Sequence, residues 1–414
     1  MPIDFRRVPS KVIVPARPQS AVLLWVALFI VIVGTGAALA IHLWPPGRPT
    51  NTLWFWLRVV GYPVLAWAFL WSAAMASAYA RRSEAMAINH VSDGVELDCH
   101  ARASQPLAIL AQAWCFSADE TENAAASVAE GRVAMTARPS AAFPGADVTA
   151  RWIAIPDRPF YAGNMLSEHV RHEVISDWLL DRLLQPVIAT LKALPARTRL
   201  RVRLVCASST EIGDVNNCLE AKLRAHLPSL SVGVGADPAG LSLFEVDAWA
   251  DNLPADAVQL LVALQLRRAV SQHLDEGVTE AGAALLVGRL EPKQSGSALG
   301  SALYLHRPAR GEAQSASEVV ALATRWGQAG AQQRPIVWDQ GLSDVVVTQL
   351  KSASAVSDAA RWVDIAKTVG NGGHAGPWLA TALAAEYAAQ SGVPQVVIAQ
   401  EGDQCVALVC RKPS

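Results

Sequence analysis

The feature that most constrains this chain lies near its start. Residues 21–44 carry no formal charge, counting His42 as neutral, and residues 53–80 carry only one, Arg58. Each run is long enough to cross a ~30 Å hydrocarbon core as a helix, which takes ~20 apolar residues. The Pro45-Pro-Gly-Arg-Pro49 turn joins them. A signal-peptide core is shorter and ends in a small-residue cleavage site, which does not follow here. The expectation is a two-helix transmembrane hairpin over 21–82, with spans at 21–44 and 53–80. Trp54, Trp56, Trp67 and Trp71 supply interfacial and packing aromatics, and Arg58 stands near the outer end of its span, where it can snorkel.

Charge around the hairpin sets its direction. Arg6, Arg7, Lys11 and Arg17 lie in the basic N-terminal segment 1–20, Arg81 and Arg82 follow the second span, and the loop offers only Arg48. The positive-inside rule then predicts both ends in the cytoplasm, as in a two-pass protein of the bacterial inner membrane. Two spans without an ionisable residue at mid-membrane give no transport pathway. A formal net charge of −1 argues against nucleic acid as a partner, since phosphate binding needs a basic excess. Six cysteines without a regular spacing form neither a disulfide framework nor a zinc set; Cys405 and Cys410 share one strand, and Cys206 and Cys218 lie no closer to ligand spacing. Reduced, buried thiols are expected, with no metal and no cofactor. Gly233-Val-Gly235 is an isolated glycine pair, and no GxGxxG, P-loop or GxSxG occurs.

From Ser83 onward the pattern changes to that of a soluble α/β protein, divided here into halves at 83–235 and 236–414. Residues 106–114 form a short apolar element, 117–131 an acidic loop followed by a helix, and 148–156 alternate as a strand does. A long amphipathic helix is expected over 169–194, with Val170, Val174, Trp178, Leu179, Leu183, Val187 and Leu191 on its apolar face, Pro186 inside and Pro195 at its end. A strand over 200–206, a helix over 216–227 and a short strand over 231–235 follow. Further strands are expected at 258–266, 278–288 and 335–338, and helices at 317–329, capped by Ser315 or Ser317, and from 341 to 350, capped by Ser343. Residues 295–301 are a loop by composition. Strands alternating with helices argue for a layered α/β fold.

The end of the chain is the most distinctive part of this half. Thr368-Val-Gly-Asn-Gly-Gly-His-Ala-Gly-Pro-Trp-Leu-Ala-Thr-Ala-Leu383 is a glycine-rich turn entering an apolar, alanine-rich helix. Small residues there let a helix N-terminus approach another backbone closely. Residues 395–399 and 405–410, joined at Glu401-Gly-Asp403, then form a terminal hairpin. Together with Glu280-Ala-Gly-Ala-Ala-Leu-Leu-Val287, which resembles the "GEGAGALVL" strand of ketosynthases, these segments resemble the C-terminal part of the thiolase/ketosynthase fold. Pro335-Ile-Val-Trp-Asp-Gln-Gly341 stands where that family carries its first active-site histidine, and Gly373-His374 matches the turn with the second.

The resemblance implies a thiolase-like layered fold across roughly 100–414, and it also implies what should be present for activity. Condensation in that family needs a thiolate at a helix N-terminus and two side-chain donors for the thioester oxyanion. No cysteine lies between Cys218 and Cys405, where the nucleophile should fall, and Trp338-Asp339-Gln340 replaces the first histidine. His374 matches alone. Cys206, followed by Ala-Ser-Ser, mimics a nucleophile motif but ends a strand upstream of the nucleophilic helix. The chain therefore reads as a pseudoenzyme with His374 and Cys206 as its only catalytic candidates. His169 and His172, one helical turn apart, have zinc spacing but no third ligand, so a solvated polar face is expected at 168–173. Asp181-Arg182 and Arg267-Arg268 are expected as solvated ends or ion pairs.

A tethered, catalytically silent domain suggests a binding or adaptor module on the cytoplasmic face. The architecture is similar to that of membrane-anchored accessory proteins of bacterial type VI secretion, including adaptors for lipase effectors, which would make the partner a secretion effector or a secretion component. The alternative is a membrane-associated acyl-transferring or condensing enzyme using Cys206 or His374. Either is compatible with a homodimer formed through the central strand, as thiolase-type folds usually do.

Overall fold

The computed structural model describes residues 5–17, 21–195, 197–228, 231–237, 240–289, 303–330, 333–353 and 360–413. The loop expected at 295–301 lies outside them. The chain divides into two compact units, Ile3–His100 and a larger one over Ala101–Ser414.

In the smaller unit, α1 spans Val22–His42 and α2 spans Leu53–Ala103, and both are long and apolar enough to cross a membrane. Their large apolar side chains point outward: Leu23 is 87% exposed and Phe69 72%. An apolar surface all round a helix suits lipid rather than water. The two helices are joined by specific contacts. The Trp67 indole donates to the carbonyl of Trp25 at 3.0 Å and meets Phe29 edge-on at 5.1 Å. Within α2, Leu57–Gly61 winds as a π-helix.

The second helix does not stop near Arg82, where the apolar run ends, but continues to Ala103. Residues 9–17 lie along this polar extension and are stapled to it. Asn89 accepts from the Val12 N–H at 2.8 Å and donates to the Val12 carbonyl at 2.9 Å. Ser92 donates to the Pro9 carbonyl at 2.7 Å, and Lys11 pairs with Asp93 at 2.7 Å.

The larger unit is built on one continuous sheet of eleven strands. Its first half contains β1 (Leu107–Cys115), α3 (Met165–Ala193), β2 (Arg199–Ala207), α4 (Ile212–His226), β3 (Ser231–Asp237), α5 (Glu245–Asn252), β4 (Ala257–Gln265) and β5 (Ala281–Arg289). The second contains β6 (Leu303–Leu305), β7 (Ala309–Glu312), α6 (Ala316–Trp326), β8 (Ile336–Gln340), α7 (Asp344–Ser352), β9 (Arg361–Asp364), α8 (Gly376–Ser391), β10 (Gln395–Glu401) and β11 (Gln404–Arg411).

The strand order is β9-β8-β10-β11-β6-β1-β5-β4-β2-β3, with β7 paired to β11 beside β6. With β6 and β7, which both pair with β11, counted together as the first strand of the second half, each half repeats one pattern. The second strand lies between the third and fourth and runs parallel to both. The fourth pairs antiparallel with the fifth, and the fifth with the first. The two first strands, β1 and β6, pair antiparallel and join the halves. These halves, Leu107–Arg289 and Leu303–Arg411 rather than a division at 235, are therefore a structural duplication.

Layering follows from which helix packs where. α3 covers β1 and β5 from outside and packs on α4, while α6 covers β11 and β7. α8 touches β5 and β1 of the first half and β10, β11 and β8 of the second, so it lies between the two half-sheets. Its Leu379, Ala380, Leu383, Ala384 and Ala388 are all buried in the larger core, which explains an alanine-rich composition that small residues alone would not stabilise. Every residue of β4 is buried, as expected of a strand covered on both faces.

Three expected elements came out differently. Residues 148–156 do not form a full strand: only Asp147–Val148 pairs as one, and the Ile153 N–H is taken by the Glu280 carboxylate at 2.8 Å. The apolar face of α3 starts later than the spacing suggested, since Val170 is 48% exposed while Ile175, Leu179 and Leu183 are fully buried. Ser315 and Ser343 do stand at the N-cap positions of α6 and α7, but neither side chain caps its helix.

Candidate functional site

The site begins at the glycine turn before α8. Asn371 organises it: its N–H donates to Gly277 O at 2.7 Å, its carbonyl accepts from Thr279 N–H at 3.1 Å, and its side-chain oxygen accepts from Gly373 N–H at 2.9 Å. The His374 N–H donates to the Gln265 side chain at 3.1 Å, at the end of β4. The His374 ring is exposed and lies against Gly240, where φ is +84° and a Cβ would collide with the ring. Only glycine fits there, both for its backbone and for the close approach.

Duplication makes α5 the counterpart of α8, since each precedes the fourth strand of its half. The turn entering α5 therefore lies where the ketosynthase resemblance would put a nucleophile, and it meets the α8 turn directly. The Trp378 indole donates to Leu241 O at 3.1 Å and stacks on Trp249 at 5.6 Å. Ser242 is the polar side chain at this entrance. Its hydroxyl donates to Glu401 at 2.5 Å, and the Leu243 N–H donates to the other Glu401 oxygen at 2.8 Å. Glu401, at the end of β10, thus braces the α5 turn.

The end of β8 forms the third side. Trp338 is buried, with its indole N–H donating to Gln395 at 2.9 Å. Gln340 lies against Gly376, in the first turn of α8, so closely that a Cβ there would meet its amide; its side-chain oxygen is buried without a hydrogen-bond partner among the described residues. Asp339 accepts from the Leu342 N–H at 3.0 Å, and burial pushes its carboxyl up to about 6. It lines a cavity of about 380 Å³ together with Asp344, Lys351, Trp362 and Asp364. The strand itself, Ile336–Gln340, carries no imidazole.

The Gly373–Ala375 turn touches β2, the strand that carries Cys206. Cys206 is on β2, packed against the outer core between the first half-sheet and α3 and α4, and burial pushes its thiol up to about 12. Such a thiol is not ionised near neutral pH and is a poor nucleophile. Cys405 is likewise buried, its thiol also at about 12.

Glu168, Arg171 and His172 form a buried charged cluster rather than the solvated face expected at 168–173. Glu168, Arg171 and His172 are all at most 1% exposed. Arg171 donates to both oxygens of Glu280, at 2.9 and 2.6 Å, and to Glu168 at 3.0 Å. Glu168 also accepts from the N–H groups of Val270 and Ser271, each at 2.9 Å. Burial would raise the Glu168 carboxyl, but the His172 hydrogen bond and the Arg171 charge outweigh it and hold the group at about 2. His172 accepts from the Ser209 N–H at 2.8 Å through Nδ1, so Nε2 carries the proton and donates to Arg267 O at 2.9 Å. His169 stays on the rim beside Glu173.

No three-ligand cluster of His, Cys, Asp or Glu that could hold a metal occurs among the described residues. Arg182 pairs with Glu120, and Asp181 with Lys222. Arg267 donates to Asn371 O at 3.3 Å, which ties the buried cluster to the His374 turn.

The comparisons address the fold. No protein-family model matches the sequence, and no curated protein matches it. Among solved structures, a chain of the AntDE:AntF complex, described as a type II polyketide-synthase acyl-carrier protein with its ketosynthase bound to the hexaketide, superposes with a TM-score of 0.52 at 10% identity, covering 74% of this chain and 99% of that one. The ishigamide ketosynthase/chain length factor gives 0.49 at 15% identity, over 75% of this chain and 100% of that one. A point variant of OleA from Xanthomonas campestris, bound with cerulenin, gives 0.43 at 11%, over 74% and 97%. The larger unit has the thiolase/ketosynthase-like fold.

Proposed function

We propose that the chain is a membrane-anchored, non-condensing ketosynthase-like protein that holds a protein partner at the cytoplasmic face of a membrane. One observation carries the silent-site part. Ser242 is engaged by Glu401 and Gln340 packs on Gly376, while His374 stands exposed beside Gly240 as the one imidazole of the site. A condensing centre needs a thiolate and two oxyanion donors facing a common space, and these residues offer neither a thiol nor a second imidazole.

Anchoring is supported by the two apolar helices and by the staple between residues 9–17 and the polar end of α2. Segments that flank a two-span hairpin emerge on one side, and their mutual hydrogen bonds suit that arrangement. The basic residues around them favour the cytoplasmic side of a bacterial inner membrane. The partner fitting this reading is a secretion effector or secretion component, as in type VI secretion, and a homodimer is compatible with it.

The test is affinity purification of the full-length protein from detergent-solubilised membranes, with mass spectrometry of what accompanies it. Recovery of a secreted lipase or a sheath component is the expected result. Recovery of an acyl carrier protein would favour the acyl-transferring alternative, and the absence of any specific partner would sink the adaptor reading.

A further inference from the structure

One cation of the helical unit has no carboxylate partner among the described residues. Between Asp4 and Glu84 the sequence has no Asp or Glu at all, while Arg48 and Arg58 both lie in that interval. Arg58 stands in the π-helical turn Leu57–Gly61, a geometry frequent at functional sites. Its guanidinium lies 5.1 Å from the Trp54 ring centroid, and that ring is its only partner among the described residues.

Beside it, between α1 and α2, a cavity of about 560 Å³ is walled by Ile32, Leu39, Leu43 and Pro63, with Arg58 and Tyr62 also in its lining. Gly36 fixes the spacing of the helices here, since a Cβ on it would collide with Pro63.

We propose that this groove binds an anionic glycerophospholipid, with its phosphate on the Arg58 guanidinium and one acyl chain along Ile32, Leu39 and Leu43. The inference rests on the membrane-anchored reading. An apolar wall without backbone donors suits an acyl chain and not a peptide, whose amides would be left unpaired. The guanidinium fork matches phosphate oxygens bidentately. In a span without carboxylates, the countercharge has to come from the bilayer. A second cation without a carboxylate partner among the described residues, Arg48 on the loop that joins the two helices, favours a headgroup with net negative charge over a zwitterion, whose ammonium would be repelled.

An arginine that merely snorkels would accept any phosphate headgroup without preference. The discriminating experiment is native mass spectrometry of the full-length protein released from nanodiscs of equal phosphatidylglycerol and phosphatidylcholine. Wild type is expected to retain the anionic lipid about tenfold over the zwitterion, with that preference lost in Arg58→Gln and partly kept in Arg58→Lys. Equal retention of both lipids by wild type, or an unchanged preference in Arg58→Gln, would overturn the proposal. Should Arg58→Gln fail to insert, the wild-type competition decides alone. Release of the protein from membranes by alkaline carbonate would overturn the anchoring reading and this one with it, whereas an embedded protein without lipid preference overturns only this one.

Discussion

The two halves of the larger unit share one strand order, yet they build the entrance to the inner layer in opposite ways. In the second half a glycine turn leads into α8, sixteen residues long and buried along most of its length. In the first half the matching helix, α5, has eight residues and buries only Val246 and Trp249. Its entrance is held by a carboxylate borrowed from the other half, Glu401 on β10. The contrast extends outward: the first half encloses the ionic cluster of Glu168, Arg171 and Glu280, while the second buries Asp339 with no ion-pair partner among the described residues. A duplicated scaffold thus keeps its topology while the two entrances at its joint are built from different contacts.

The most direct way to break the comparison is Trp378→Ala, because Trp378 is the point where the two entrances meet. Removing a buried indole that stacks on Trp249 and donates to Leu241 should cost about 4 kcal/mol. Thermal unfolding of the full-length protein in detergent should show the drop. A loss under about 1 kcal/mol would mean the halves are held together elsewhere.

Next comes Glu280→Gln, which strikes the first half alone. It leaves Arg171 with half its anionic partners, at a cost of about 3 kcal/mol. The same cluster sets an acid response. Glu168 is held at about 2 in the folded chain, below the ~4.3 of an unfolded glutamate. Its contribution is therefore complete above that unfolded value and is lost as pH falls from about 5 toward 2. Denaturation midpoints measured across that window should fall steeply in wild type and less in Glu280→Gln, where part of the cluster is already broken. Parallel slopes would show that other carboxylates dominate.

Much of this was legible in the sequence because it is local. The strands at β4, β5, β10 and β11 are continuous apolar runs, and the Gly373-His374 turn announces α8 by its glycines. The buried cluster was not legible. Glu168-His-Val-Arg-His-Glu173 has the composition of a solvated helix face, and nothing nearby names Glu280, which lies over a hundred residues downstream. Only the closure of α3 onto β5 turns those charges inward. The polar extension of α2 was missed for a related reason, since hydropathy marks where an apolar run ends and not where its helix ends. Residues 148–156 alternate as a strand does, but a carboxylate takes the Ile153 N–H that a neighbouring strand would need.

A smaller effect of opposite sign is expected in the second half. Burial raises Asp339 to about 6, above its unfolded ~3.9. The folded state therefore holds a proton that the unfolded state releases, and stability falls as pH rises from about 4 through 6. Asp339→Asn keeps an acceptor for the Leu342 N–H while removing the charge. It should stabilise the protein by about 2 kcal/mol at pH 7 and by nothing at pH 3.5. Guanidinium titrations at the two pH values would check this, and an equal effect at both would mean the carboxyl is already solvated.

The smallest effect separates packing from chemistry at the joint itself. Glu401→Gln leaves one acceptor oxygen for two donors, Ser242 Oγ and the Leu243 N–H, and should cost about 1 kcal/mol. If the α5 entrance serves packing only, freeing Ser242 in this way changes nothing else. Neither wild type nor the variant should then be acylated by an activated acyl thioester, and His374→Ala should leave partner recovery unchanged. Acylation that maps to Ser242 in Glu401→Gln would mean that the carboxylate restrains a reactive hydroxyl. Acylation of wild type that disappears in His374→Ala would show that the second half still carries working chemistry, and the asymmetry between the halves would then be one of nucleophile rather than of activity.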